Sequence, residues 1–409
     1  MNAIAMIILC AVLIYFFVDM AADILNIRGL SKEVPENFSD VYDAKRYEKS
    51  QAYLITNTQF GWVISVFDLI LFLVFWFLGG FGWLDKLVRS ITEISVFQGL
   101  LFIGSLVFVK SVLSLPFSIY STFVIEEKFG FNKTTWPTFV LDLVKVFALS
   151  TILGGIVISA ILVFFEYAGD NGWWLCWLAV TLFMLAVRYI APTWIMPLFN
   201  KFTPIEEGEL KDAIMEYAKA VDFPVANVFV IDGSRRSEKS NAYFTGFGKN
   251  RRIALYDTLI EKHTTEELVA ILAHEIGHYK HRHILYNTII GIVHMGVIFF
   301  LVSFFISYKG LFDAFYVNET SAYAGLIFFG MLFSPIDFFI SIFMQMFSRK
   351  NEYQADRFAV RTIKNPQVLA DTLKKLSANN LSNLSPHPFY VFLNYSHPPL
   401  LERIRAINS

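Results

Sequence analysis

His274-Glu275-Ile276-Gly277-His278 holds the residue types with the most specific chemistry in the chain. On a helix, residues four apart share a face, with Cβ atoms roughly 5–6 Å apart. Both imidazoles can then reach one Zn²⁺ at about 2.0–2.1 Å. Glu275, beside the first histidine, is placed to act as general base toward a water on that metal. An H-E-x-x-H string also arises by chance. Here it could mark no more than a histidine-rich helix end, since Lys280, His281, Arg282 and His283 follow directly. The flanking residues argue for the catalytic reading. Thr264 and Glu267 form a T-x-x-E capping box, and Leu268, Ile271, Leu272 and Ile276 supply an apolar stripe.

A catalytic zinc takes three protein ligands and keeps a fourth position for water. Glu352, in Ser348-Arg349-Lys350-Asn351-Glu352-Tyr353-Gln354-Ala355-Asp356, is the best third ligand. Asp356 lies one turn further along the same face and could accept the N–H of a ligating histidine. Pairing of Glu352 with Arg349 as an interfacial charge is the competing reading. His281 and His283 fall off the motif's spacing, and His294 lies inside an apolar run.

The elements that must position these groups follow from composition. The 409 residues are 55% hydrophobic, 17% aromatic and 17% charged, with a mean hydropathy of +0.50. A soluble domain is nearer about 25% charged, so the chain reads as a polytopic membrane protein. A net charge of -1 gives no sign of a nucleic-acid partner. The two cysteines, Cys10 and Cys176, sit in apolar runs and exclude a disulfide framework or a cysteine-rich zinc site. Any metal must be held by His and carboxylate. The N-terminus lacks a basic region and a cleavage site, so the first apolar run is expected to be retained. The C-terminus shows no lipidation or retention signal.

Seven candidate spans emerge, near residues 3–24, 61–84, 96–121, 143–165, 173–198, 284–308 and 322–347. Pro192 and Pro197 should bend or end the fifth. The pattern of the seventh continues as helix to Val360. Because the sixth span starts on the side where His278 sits and the seventh returns there, Glu352 is brought back to the motif. Lys and Arg concentrate in the odd-numbered loops and the tail, which places those in the cytoplasm and the N-terminus outside. Asp68, Lys110, Asp142, Lys145, Arg188 and Asp337 fall within or beside the spans. A charge at the bilayer centre costs at least about 2.5 kcal/mol, so they imply a polar, water-filled interior. For Asp142 and Lys145 an interfacial position serves as well.

The expected fold is predominantly α: seven transmembrane helices enclosing a chamber, with a small cytoplasmic α+β zinc-metalloprotease domain. Residues 1–198 hold spans one to five and 199–283 the zincin-like domain. Residues 284–347 hold spans six and seven, and 348–409 form a cytoplasmic tail. Within the long loop we read a helix over 204–221, a strand over 227–231 and a polar stretch over 233–240. Two strands, 242–245 and 252–256, flank the turn Gly246-Phe247-Gly248-Lys249-Asn250, and the motif helix begins at Thr265. A strand edge beside the metal could cradle an extended peptide or merely pack the domain.

Ala273-His274-Glu275-Ile276-Gly277-His278-Tyr279-Lys280, Glu352-Tyr353-Gln354-Ala355-Asp356, Asn241-Ala242-Tyr243-Phe244 and Tyr395-Ser396-His397-Pro398-Pro399-Leu400 together resemble the integral-membrane zinc metalloproteases of the type-1 CAAX prenyl endopeptidase family. The similarity covers nearly the whole chain. It implies removal of the C-terminal tripeptide from proteins whose cysteine carries a farnesyl or geranylgeranyl group. It also implies an intramembrane chamber with one Zn²⁺ at its cytoplasmic end. By resemblance Glu352 is the third ligand, His397 binds substrate and steadies the oxyanion, Asn241 contacts the peptide backbone, and Arg403 orients these groups. From the residues alone, His397 before two prolines serves equally as a tail-packing histidine. The short loop at 309–321 and the lack of an evident endoplasmic-reticulum signal favour a bacterial inner membrane, with the endoplasmic reticulum as the eukaryotic setting. The partners expected are a prenylated or very hydrophobic peptide and the bilayer. Two other functions fit parts of the pattern: a quality-control metalloprotease with unprenylated membrane-protein substrates, and a lipid-binding or transport protein with structural zinc.

Overall fold

Long apolar runs in lipid must satisfy every backbone N–H and C=O internally, and the helix does so within one segment. The computed structural model of the chain describes residues 1–31, 33–225, 227–245 and 252–409. Among these, seven helices are long and apolar enough to cross a membrane: Ala3–Arg28, Ala44–Phe77, Ser95–Glu126, Trp136–Tyr167, Gly172–Leu198, His283–Phe305 and Ala322–Thr362.

Their ends depart from the hydropathy pattern where local chemistry intervenes. The second span starts seventeen residues before its apolar stretch, at Ala44, where Asp43 accepts the Arg46 N–H at 2.6 Å. It stops at Phe77 rather than Leu84, because Gly79 takes a left-handed φ of 72° and a separate helix, Gly80–Ile91, follows. The third span widens into a π turn at Ser121–Glu126 and the fifth does so at Ala191–Ile195, around Pro192. The motif helix, Thr265–Lys280, does not run straight into the sixth span. Arg282 adopts φ 57°, and the next helix opens at His283.

The seventh span is one helix of 41 residues. At 1.5 Å per residue it is about 62 Å long, against roughly 30 Å of hydrocarbon. Its last third, residues 348–362, therefore stands outside the membrane and enters the soluble domain.

Two large hydrophobic cores stand out among the described residues, beside two small clusters around Phe129 and Ile342. One fills the far end of the span bundle, with Trp76, Phe102, Phe312, Phe315, Tyr323 and Phe328 buried together. The other joins the motif helix to the protruding part of the seventh span and the tail helices, through Ile214, Leu255, Leu272, Ala273, Ala359 and Leu369. Between the cores, Lys110 pairs with Asp68 while the two side chains stay 46% and 39% exposed. Hydrocarbon would not tolerate that exposure, so it faces an interior space between the spans. His294 and Asp337 meet at 3.3 Å between the sixth and seventh spans. Asp142 receives two hydrogen bonds from Arg236, at 2.8 and 2.9 Å, which tie the soluble domain to the fourth span.

The soluble domain contains one sheet in the order β1-β2-β4-β3, from β1 Phe202–Pro204, β2 Asn227–Ile231, β3 Ala242–Thr245 and β4 Arg252–Tyr256. β2 and β4 run parallel, and the other pairs are antiparallel. β1 was not expected from sequence. Pro204 belongs to it, so the helix read over 204–221 starts instead at Glu209 and ends at Ala220. The Gly246–Asn250 turn lies outside the described residues. β3 forms the edge of the sheet, with Tyr243 opposite Ala254.

Candidate active site

The motif helix starts where the sequence says it should. Thr264 Oγ1 accepts the Glu267 N–H at 3.3 Å, and Glu267 Oε2 accepts the Thr264 N–H at 2.9 Å. Lys375 and His263 hold the same carboxylate from the side, at 2.8 and 3.1 Å. From this fixed start the helix buries Leu268, Ile271, Leu272, Ala273 and Ile276. One turn of that face is special. A Cβ on Gly277 would lie 2.9 Å from both Cα and O of Ala355. Glycine here lets the motif helix and the seventh span touch backbone to backbone, which places Glu352 and Asp356 against His274 and His278.

The result is a convergence of donors. His274 Nε2 and His278 Nε2 are 3.2 Å apart. Glu352 Oε1 lies 3.2 Å from His278 Nε2, and Oε2 lies 3.5 Å from His274 Nε2. One ligand atom from each residue fits within 4.8 Å of the others. Glu352 is buried, yet its Oε2 has no hydrogen-bond partner. A buried anionic oxygen without a donor is costly, and two imidazole lone pairs facing it make the arrangement fit a cation. Two nitrogens and one carboxylate oxygen are the donor set of an open zinc site.

Behind the donors the wiring is dense. Asp356 Oδ1 lies 2.8 Å from His274 Nδ1. Arg403, buried, donates to both Asp356 oxygens at 2.8 and 2.6 Å and stands 3.5 Å from Glu352 Oε2. It comes from the last helix, Leu400–Ile407, which starts directly after Pro398-Pro399. Burial works to depress the His274 imidazolium, but its hydrogen bond to Asp356 and the Glu352 carboxylate beside it outweigh burial and push its pKa up to about 9. A metal would therefore compete with a proton at this ring. Arg349, the alternative partner for Glu352, instead donates to the carbonyls of Val391 and Tyr395.

The remaining expected residues surround a cavity of about 500 Å³ in front of the donors, lined by Asn241, Glu275 and His397 among others. His397 is 65% exposed, with Nε2 3.4 Å from Glu352 Oε1 and Nδ1 3.0 Å from Ser396 Oγ. Asn241 sits at the start of β3, its Oδ1 accepting the Ala242 N–H at 2.9 Å. All eight residues singled out from sequence thus meet at one place. His283 and Gln354 also belong there and were not foreseen: His283 lies 2.9 Å from His278 Nδ1 and 2.8 Å from Gln354 Oε1. No helical spacing points to His283, since only the break at Arg282 folds it back.

Known proteins resemble the chain along its whole length. Residues 23–201 match the family model described as CAAX prenyl protease N-terminal, five membrane helices, and residues 204–409 match peptidase family M48. A probable CAAX prenyl protease 1 of Schizosaccharomyces pombe is 36% identical over 93% of this chain and 83% of its own. A CAAX prenyl protease 1 homolog of Homo sapiens is 34% identical over 92% of this chain and 89% of its own. The crystal structure of S. mikatae Ste24p superposes with a TM-score of 0.93 at 31% identity, covering 100% of both chains. That a peptidase family matches the half with the donor cluster and a membrane-helix family the other half makes the chain a membrane metalloprotease, a member of the CAAX prenyl protease branch of family M48.

Proposed function

We propose that the chain is a zinc endopeptidase that removes the C-terminal tripeptide from C-a-a-X sequences whose cysteine is prenylated, with its active site facing the cytoplasm. The observation that carries the reading is the closure of His274, His278 and Glu352 around one point, beside Glu275, in a protein whose relatives are named CAAX prenyl proteases. One Zn²⁺ per chain, held by those three residues, would supply Lewis-acid polarisation of the scissile carbonyl and of the attacking water.

The protein's own groups do the rest. Glu275 takes the proton of the attacking water and hands it to the leaving amine. His397, beside Glu352 and open to the cavity, steadies the oxyanion that forms on the carbonyl. Arg403 and Asp356 keep the His274 ring in place. Asn241 and the β3 edge offer backbone-directed contacts to an extended peptide. The prenyl chain is apolar, at about 0.8 kcal/mol per buried CH₂, and belongs in the space between the spans.

Two peptides of one C-a-a-X sequence, one farnesylated and one with a free cysteine, test the substrate class. Mass spectrometry of products from the purified protein should show the tripeptide released from the farnesylated peptide with the higher kcat/KM. Equal turnover of both peptides would favour the quality-control reading instead.

A further inference from the structure

The proposed zinc site leaves one line of contacts without a role. His278 turns Nε2 toward the other donors, 3.2 Å from His274 Nε2 and 3.2 Å from Glu352 Oε1. Its Nδ1 faces the other way and lies 2.9 Å from Nδ1 of His283. Nε2 of His283 in turn lies 2.8 Å from Gln354 Oε1. His283 is 3% exposed. In an unbroken helix it would stand about 140° around the axis from His278. The left-handed residue at Arg282 removes that mismatch and folds His283 back onto the motif. His281 stacks on the His283 ring, 5.6 Å between centroids at 14°, which limits its rotation.

With the Gln354 amide oxygen turned toward His283, the protons along this line follow. Gln354 Oε1 can only accept, so His283 Nε2 carries a hydrogen and donates it. A neutral imidazole protonated on Nε2 has a bare Nδ1, which accepts. His278 must then donate from Nδ1, and its Nε2 keeps a free lone pair toward His274 and Glu352. That is the tautomer a metal ligand requires. The opposite polarity would put the His278 proton on Nε2, between the donors, and would close the site to a metal.

We propose that His283 and Gln354 are positioning residues that hold His278 in its metal-binding tautomer and orientation, as Asp356 does directly for His274. The inference rests on the zinc reading above and deepens it. Glu352, Gln354 and Asp356 lie within five residues of one helix. The seventh span thus supplies one ligand and backs both of the others, so the whole coordination set is referred to a single rigid element.

The test uses purified full-length protein loaded with Zn²⁺, following metal release to excess chelator, and the visible spectrum of the Co²⁺-substituted form. His283→Phe keeps a ring without an acceptor, and Gln354→Leu removes the end of the relay at a partly exposed position where folding is less at risk. Both should weaken zinc binding about 10–100-fold and alter the Co²⁺ spectrum. His283→Gln, whose amide offers both an acceptor and a donor, should recover much of the affinity. Wild-type release rates and an unchanged spectrum in Gln354→Leu would overturn the proposal, as would a His283→Gln protein no better than His283→Phe. His278→Ala serves as the control. If it binds zinc as tightly as wild type, the site assignment itself has failed and the relay with it.

Discussion

At the scale of single residues, the site separates groups that can hold a metal from groups that can move charge. His274, His278 and Glu352 face one another, while Glu275 and His397 face the cavity. In the proposed reaction His397 touches the oxyanion and not the resting metal site alone. His397→Ala should therefore lower kcat about 10²–10³-fold while metal content stays at the wild-type level by elemental analysis. A loss of metal in that variant would move His397 from oxyanion stabiliser to structural support. Glu352 and Asp356 were legible in the sequence because the seventh span continues as helix past the membrane and both fall on one face. His283 and Gln354 were not, because their meeting depends on a left-handed Arg282 that composition does not announce. Gly277 reads as an arbitrary position inside H-E-x-x-H, and its reason appears only when Ala355 is seen against it.

At the scale of elements, the account depends on the crossing of the motif helix and the seventh span. Gly277 permits that approach, and its neighbour across the crossing is backbone rather than a flexible side-chain tip. Gly277→Ala must push the helices apart. The expected cost is about 1–3 kcal/mol of stability, together with weaker zinc retention, because Glu352 and Asp356 recede from the histidines together. Thermal denaturation and chelator-release rates measured on the same preparation check both effects. A variant of wild-type stability and metal affinity would show that the crossing does not set the site. Capping also decides element boundaries. The Thr264–Glu267 box was readable as S/T-x-x-E, and the helix begins there. The end of the second span was not, because a Trp-Phe-Leu run continues the apolar pattern into the turn at Gly79. The strand at Phe202–Pro204 is too short for a period-two pattern, so the sequence pattern alone assigns Pro204 to the following helix.

At the scale of the whole molecule, seven spans, two large cores and an interior ion pair describe a bundle packed by one core at one end and carrying the soluble domain at the other. Span number and the polar interior were legible because length, apolarity and misplaced charges are properties of composition. Orientation, argued from Lys and Arg in the odd loops, makes its own prediction. With Cys10 and Cys176 replaced, Lys364→Cys should react with a membrane-impermeant maleimide only from the cytoplasmic side of sealed vesicles. Asn318→Cys, at the other end of the seventh span, should react only from the opposite side. The reverse labelling pattern would put the active site outside the cytoplasm.

The central claim is that Glu275 moves the proton at a zinc held by His274, His278 and Glu352. Release of the C-terminal tripeptide from a farnesylated C-a-a-X peptide, measured by mass spectrometry for wild type and Glu275→Gln with zinc content determined on each, tests it most directly. The account predicts one zinc in both proteins, release by wild type that stops with chelator and returns with added Zn²⁺, and a fall of about 10²–10⁴-fold in the variant. Undiminished release by a zinc-loaded Glu275→Gln protein would contradict it.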